Sequence, residues 1–174
     1  MTGMNDNLLI PLQKEFKALF VCTRQTIASI PSDQWSSGSM RRCIPAWQVC
    51  HMLEPLRDLL RSEREEAAEA EPLAWQLTTR IKAGDIPEQA EAIAFLDALA
   101  PLILAHLAQV VRKTCGAKSL SNPPLNRWLY TLRHSIIHLS YLRHELLVRG
   151  VSVPDYIKHV VKIMRLWSAN FDRA

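Results

Sequence analysis

The sequence predicts an all-α fold, an up-down four-helix bundle with a short extra C-terminal helix. Only 5 of its 174 residues are glycine, and alanine, leucine, glutamate, arginine and glutamine are abundant. These residues favour helix, and the alternating valine, isoleucine and threonine runs typical of strands are missing. Apolar residues instead recur at helical spacing over several long stretches. This length suits one domain, residues 1–174, with its own hydrophobic core.

The first helix is predicted over about residues 7–30, and Pro31-Ser32-Asp33 ends it. Residues 34–44 form a long connection rich in serine, and its length invites a functional role. Pro45 suits the first turn of the second helix. The apolar stripe of the first helix comprises Leu8, Leu12, Phe16, Leu19, Phe20 and Ile27, and that of the second comprises Val49, Leu53, Leu56 and Leu60.

The second helix continues through a charged run and ends near Pro72, and residues 73–84 fit either a packed loop or a short helix. The acidic start signal at residues 85–88 opens the third helix, which runs to about Lys113. Residues 122–124 open the fourth helix, which ends at Gly150. A shorter fifth helix is predicted over about residues 155–167.

Charge and cysteine content narrow the possible functions. The net charge of +4 is mild, and the basic clusters are short, which disfavours binding of nucleic acid. The four cysteines show no CxxC spacing, as expected for a cytoplasmic protein with reduced thiols. The N-terminus lacks the features of a signal peptide, and no apolar run is expected to span a membrane.

The fourth predicted helix carries His134 and His138, four residues apart. This spacing places both imidazoles on one face, one turn apart, where they can bind one divalent metal ion. A third histidine, His51, lies early in the second predicted helix. Three such ligands leave a coordination position open, as in catalytic metal sites. A shared ion requires the ring nitrogens to come within about 4 Å of one another.

In both helices that carry these histidines, the side opposite the apolar core stripe has two possible environments. His134 and His138 lie almost opposite the core stripe of their helix, with Tyr130, Ile137, Tyr141 and Val148 beside them, so this side faces either a pocket or a partner subunit. His51 also lies opposite its stripe, and is either a solvent-facing residue or part of a polar pocket wall. In the second case Glu54 or Asp58 orients a ligand histidine or acts on a bound water.

The chain resembles the DinB/YfiT-like family in three features. The first is the order of elements: an opening helix, the loop 30–35 and a helix with one early histidine. The second is the signature of the fourth helix, His134-x-x-x-His138-Leu139-Ser140-x-Leu142-Arg143. The third is the segment 146–155, in which the chain leaves the fourth helix. The resemblance covers roughly residues 7–155. It implies a four-helix bundle in which His51, His134 and His138 bind nickel, zinc, iron or manganese.

The same resemblance implies a homodimer that acts on a small molecule, with a low-molecular-weight thiol as cofactor in transfer and isomerisation reactions. The leading hypothesis is therefore a metal-dependent enzyme, a transferase or hydrolase. Glu54, Asp58 and Tyr141 are the candidates for orienting or proton-transfer roles. Arg41, in the long loop, is the candidate for binding an anionic substrate or a cofactor carboxylate.

Two other hypotheses follow from the residues. A non-catalytic helical module would use the second apolar side of the fourth helix for dimerisation or for a protein partner. Cysteine chemistry would use Cys43 or Cys50 as nucleophile. The second is disfavoured, because Cys50 and its neighbour His51 point about 100° apart on a helix.

Overall fold

The structure, a computed structural model, describes residues 3–40, 43–61, 80, 84–115 and 123–154. Within these ranges the regular structure is entirely helical, which confirms the all-α class. The helices are α1 (Gly3–Ser29), α2 (Ser32–Trp35), α3 (Pro45–Arg61), α4 (Gln89–Cys115) and α5 (Pro123–Val148). The charged run after Arg61, residues 73–79 and the predicted fifth helix lie outside the described residues.

Most predicted boundaries agree with the structure to within a few residues, and two differ for identifiable reasons. The predicted loop starts later, because Ser32–Trp35 forms a helical turn whose Trp35 is buried and donates a hydrogen bond to the Pro87 carbonyl at 2.7 Å. The start of α4 is capped three residues later than predicted, by Glu88 and Glu91 instead of Asp85 and Glu88. The Glu88 backbone N–H donates to the Glu91 carboxylate at 2.7 Å, so Glu91 supplies the cap.

The core is built from the predicted apolar stripes. The stripe of α3 is buried throughout, and so is that of α1 from Leu12 onward. Trp128 of α5 lies edge-on against Phe16 of α1, with ring centroids 5.7 Å apart, and both side chains are fully buried. Burial of a side chain of this size stabilises the fold by about 1.5–3 kcal/mol. The same core therefore fixes the position of α5.

Helices α3 and α5 pack antiparallel in one consistent register. Ser135 donates a hydrogen bond to the Met52 carbonyl at 3.4 Å, and Arg127 donates to the Asp58 carbonyl at 3.2 Å. Residues with higher numbers in α3 therefore pair with residues with lower numbers in α5. The first turns of α3 consequently lie beside the C-terminal half of α5.

Helix α4 differs from the sequence expectation in its hydropathy. Its segment Gln89–Lys113 is long and apolar enough to cross a membrane by length and composition, although no such run was expected. A core helix passes the same test. In this structure α4 packs against α1 and α3, and its core residues are Ala92, Phe95, Leu96, Leu99, Ile103, Leu107, Val110 and Val111.

Arg149, directly after α5, holds the loop before α3 at both of its ends. Its guanidinium donates to the Ser37 carbonyl at 3.0 Å and to the Cys43 carbonyl at 2.5 Å. The two ends also approach closely, because a Cβ added at Gly38 would lie 2.8 Å from the Cys43 carbonyl carbon. The hydrogen bonds of Arg149 thus connect the end of α5 to the loop that leads into α3.

We expect Arg149→Met to lower the free energy of unfolding by about 1–3 kcal/mol, because two carbonyls lose a charged donor while the aliphatic stem is kept. The control is Arg24→Met, since Arg24 pairs with Asp97 at the surface and both side chains are about half exposed. The control should cost less than about 1 kcal/mol. Urea unfolding of both variants provides the measurement, and equal effects would contradict this role of Arg149.

Candidate metal centre

Three histidines from two helices meet at one place. His51 of α3 and His134 and His138 of α5 each offer a ring nitrogen, and these three atoms all lie within 4.8 Å of one another. The ring centroids are 4.4 Å apart for His134 and His138, and 4.7 and 5.4 Å from His51 to His138 and His134. The convergence that the sequence predicts is therefore present, and the group can hold a metal ion.

The spacing is slightly wider than a bound ion requires. Nitrogen–metal bonds of about 2.0–2.1 Å in tetrahedral geometry place neighbouring nitrogens about 3.4 Å apart. The limit of 4.8 Å exceeds this nitrogen–nitrogen spacing by about 1.4 Å, so the ring nitrogens would approach one another by at most that distance on binding an ion.

The register of α3 and α5 explains why these three residues converge. His134 and His138 are one turn apart on the flank of α5 that faces away from its buried residues Leu132 and Leu139. The antiparallel pairing places the second turn of α3 beside this flank, and with it His51. All three histidines are half-buried, so the site opens to solvent at one side.

Burial favours the neutral form of the two α5 histidines. Desolvation, followed by the neighbouring His134 and His51, lowers the pKa of His138 to about 4. The pKa of His134 is also lowered, first by desolvation and then by His51. Neutral imidazole is the form that binds a metal ion, so neither ring has to lose a proton at neutral pH before binding.

The hydrogen bonds of the two α5 histidines differ. The Nδ1 atom of His138 lies 3.2 Å from the Oε1 atom of Gln48. The Nε2 atom of His134 is buried and has no hydrogen-bond partner within the described part of the chain. A buried polar atom without a partner is costly, and coordination of a metal ion would satisfy it. Gln48 was not predicted from the sequence, although its position three residues before His51 puts both on one face of α3.

An aromatic side chain accompanies each imidazole. Trp47 stacks on His51 with centroids 4.8 Å apart, and Tyr130 stacks on His134 at 5.9 Å. Tyr141 lies edge-on to His138 at 6.4 Å. Tyr130 and Tyr141 are more than half exposed, so their rings form an apolar border around the open side of the site.

The predicted acidic residues lie outside the group of ligand atoms. Glu54 is half-buried, about one turn after His51. Asp58 is seven residues after His51, which places it about 10 Å further along the helix, and it pairs with Arg57 at 2.6 Å. Glu54 and Tyr141 are thus the nearer candidates for proton transfer. Arg41 lies outside the described residues.

At Cys50, the cysteine hypothesis is disfavoured by burial. Cys50 is 3% exposed, and desolvation, followed by the charge of Glu54, raises the pKa of its thiol to about 12. A nucleophilic cysteine requires the opposite shift, because only the thiolate reacts. Cys50 acts as a core residue of α3.

Comparisons of the chain with protein-family models, with curated proteins and with solved structures gave no match. The candidate site therefore stands on its own geometry. That geometry consists of three converging imidazoles, two of them with lowered pKa values, and one buried ring nitrogen without a described hydrogen-bond partner.

We expect the metal-free protein to lose stability as the pH falls from 6.5 toward about 4, because the pKa of His138 is lowered in the folded state and the unfolded chain binds more protons there. His138→Gln should flatten this dependence. His144→Gln, on the exposed side of the same helix, is the control and should leave it unchanged. Urea unfolding with a chelator across this pH range tests the expectation, and an unaltered slope in His138→Gln would contradict it.

Proposed function

We propose that this chain is a divalent-metal-dependent enzyme of the DinB-like kind, with a four-helix bundle as its fold. His51, His134 and His138 are its metal ligands. The observation that supports this proposal most directly is the convergence of their ring nitrogens within 4.8 Å of one another. The unpartnered Nε2 atom of His134 adds to it, since coordination would remove the cost of burying that atom.

The residues present suit a divalent transition metal. Imidazole nitrogen is a good ligand for zinc, nickel and iron, and three protein ligands leave positions open for small molecules. We propose nickel, zinc, iron or manganese as the ion, the set that the resemblance to the DinB/YfiT-like family implies. When bound, such an ion supplies Lewis acidity, which activates water or a thiol at neutral pH.

The surrounding residues suit small-molecule chemistry. The exposed rings of Tyr130 and Tyr141 and the partly buried ring of Trp47 offer an apolar surface beside the histidines, where a substrate binds by contact with ring faces and edges. In this proposal, Glu54 and Tyr141 accept or donate a proton. Asp58 orients Arg57, with which it forms an ion pair on the same helix. Arg41 binds an anionic group. The reaction is a thiol-dependent transfer or a hydrolysis, in a cytoplasmic homodimer.

We expect the purified protein to bind one divalent ion per chain, with nickel and zinc tested first. At a hundredfold excess of free ion over Kd, binding adds about 2.7 kcal/mol of stability and raises Tm by about 5–10 °C. His138→Ala and His51→Ala should lose both the ion and the rise in Tm. Metal analysis and thermal unfolding provide the measurements.

His144→Ala is the matched control, because His144 is exposed on the same helix. It should bind metal and gain stability like the wild type. A wild-type protein without stoichiometric metal, and without a gain in Tm on addition of nickel or zinc, would remove the proposed function.

A second candidate function is a non-catalytic module that associates through the outer side of α5. The observation that favours it is a set of exposed apolar side chains on one side of this helix, with exposed fractions of 44–71%: Tyr130, Ile137, Tyr141 and Val148. Monomeric proteins seldom expose such a contiguous surface without a binding role. In this case the three histidines are dispensable.

Size-exclusion chromatography in the presence of chelator tests the second candidate. If α5 is an association surface, Ile137→Glu should shift the protein to a smaller species, because a buried charge at an interface is costly. Val21→Glu, at an apolar residue of α1 that is 54% exposed, is the control and should leave the elution volume unchanged. An elution volume that is the same for wild type and Ile137→Glu would count against the module.

A further inference from the structure

We propose that Gln48 is a positioning residue for the metal centre: its side-chain carbonyl accepts the Nδ1–H of His138 and so presents the Nε2 lone pair of that ring to the ion. The proposal rests on the proposed function, because it assigns a role within the same site. It is drawn from the 3.2 Å separation between His138 Nδ1 and Gln48 Oε1.

The geometry joins the two helices at the site. Gln48 lies in the first turns of α3, is 9% exposed, and precedes His51 by three residues on the same face. One face of α3 thus supplies a metal ligand of its own and also the hydrogen-bond partner of a ligand on α5. The Ser135 hydrogen bond to the Met52 carbonyl, one turn further along, holds the two helices in this register.

The tautomer of His138 follows from this contact. A neutral imidazole carries one N–H, and the nitrogen without it is the one that can bind a metal ion. With the amide oxygen of Gln48 facing Nδ1, the proton stays on Nδ1 and Nε2 is free. The reversed amide would place an NH₂ donor there and shift the ring proton to Nε2, which would exclude that atom from coordination.

A neutral acceptor suits this position. A carboxylate at a side chain that is 9% exposed would carry a desolvation cost, whereas an amide accepts the same hydrogen bond without charge. Partners of this kind orient ligand histidines in metal sites, and their loss typically weakens metal binding 10–100-fold. Gln48→Leu removes the acceptor at nearly constant volume, and Gln48→Glu keeps an acceptor at the same distance.

The first experiment determines the tautomer of His138 by long-range ¹H–¹⁵N NMR correlation in the full-length, metal-free protein at neutral pH. We expect the Nδ1–H tautomer in the wild type and in Gln48→Glu, and a predominant Nε2–H form in Gln48→Leu. Gln25→Leu, at an exposed glutamine of α1, is the matched control and should match the wild type. A merely structural role for Gln48 would leave the tautomer unchanged.

The second experiment measures zinc affinity by competition with a chromogenic chelator. Gln48→Leu should bind zinc about 10–100-fold more weakly than the wild type, while Gln48→Glu and Gln25→Leu stay within a few-fold of it. Far-UV circular dichroism and thermal unfolding in chelator establish that each variant is folded. Should Gln48→Leu fail to fold, Gln48→Met, with its flexible unbranched chain, replaces it in both experiments.

The outcomes separate the two proposals. A wild-type protein that binds neither zinc nor nickel overturns the proposed function and, with it, the metal role of Gln48. A wild type that binds zinc, together with a Gln48→Leu variant of equal affinity and unchanged tautomer, overturns the role of Gln48 alone. Weaker binding and an altered tautomer in Gln48→Leu, both restored in Gln48→Glu, support the proposal.

Discussion

The antiparallel register between α3 and α5 is the constraint on which the candidate site depends. Each helix alone presents histidines on a flank away from its core stripe, and neither alone offers three nitrogens. Buried side chains such as Trp128 and Met52, together with the Ser135 hydrogen bond to the Met52 carbonyl, fix how far one helix lies along the other. A displacement by one residue would move His51 by about 1.5 Å along the helix axis, which is as large as the whole excess of the 4.8 Å limit over the nitrogen spacing of a bound ion.

The histidines carry a cost that the rest of the fold offsets. Their partial burial lowers the pKa of His134 and His138, and it leaves one ring nitrogen of His134 without a hydrogen bond among the described residues. The core packing of the four long helices provides the stability that offsets the cost of burying these histidines. The same burial favours the neutral form of His134 and His138, so the two groups that destabilise the metal-free chain are already in the form that coordinates an ion.

The sequence was sufficient for the features that depend on periodicity. The core stripes of α1 and α3, the helical spacing of His134 and His138 and the stop at Gly150, whose φ of 76° suits glycine, all follow from local pattern. Gln48 could not be found in this way, because its role requires a partner 90 residues away and a particular ring nitrogen. The cap of α4 was misplaced because Glu88 and Glu91 both fit the same motif.

The three converging ring nitrogens have a further consequence for the charge of the site. The group of ligand atoms contains no carboxylate, so the donor set contributes no negative charge to balance a divalent cation. An ion held there retains its full double charge beside the half-exposed rings of Trp47 and Tyr141. Such a centre attracts anions from solution, and it lowers the energy of a negatively charged ligand atom much more than that of a neutral one.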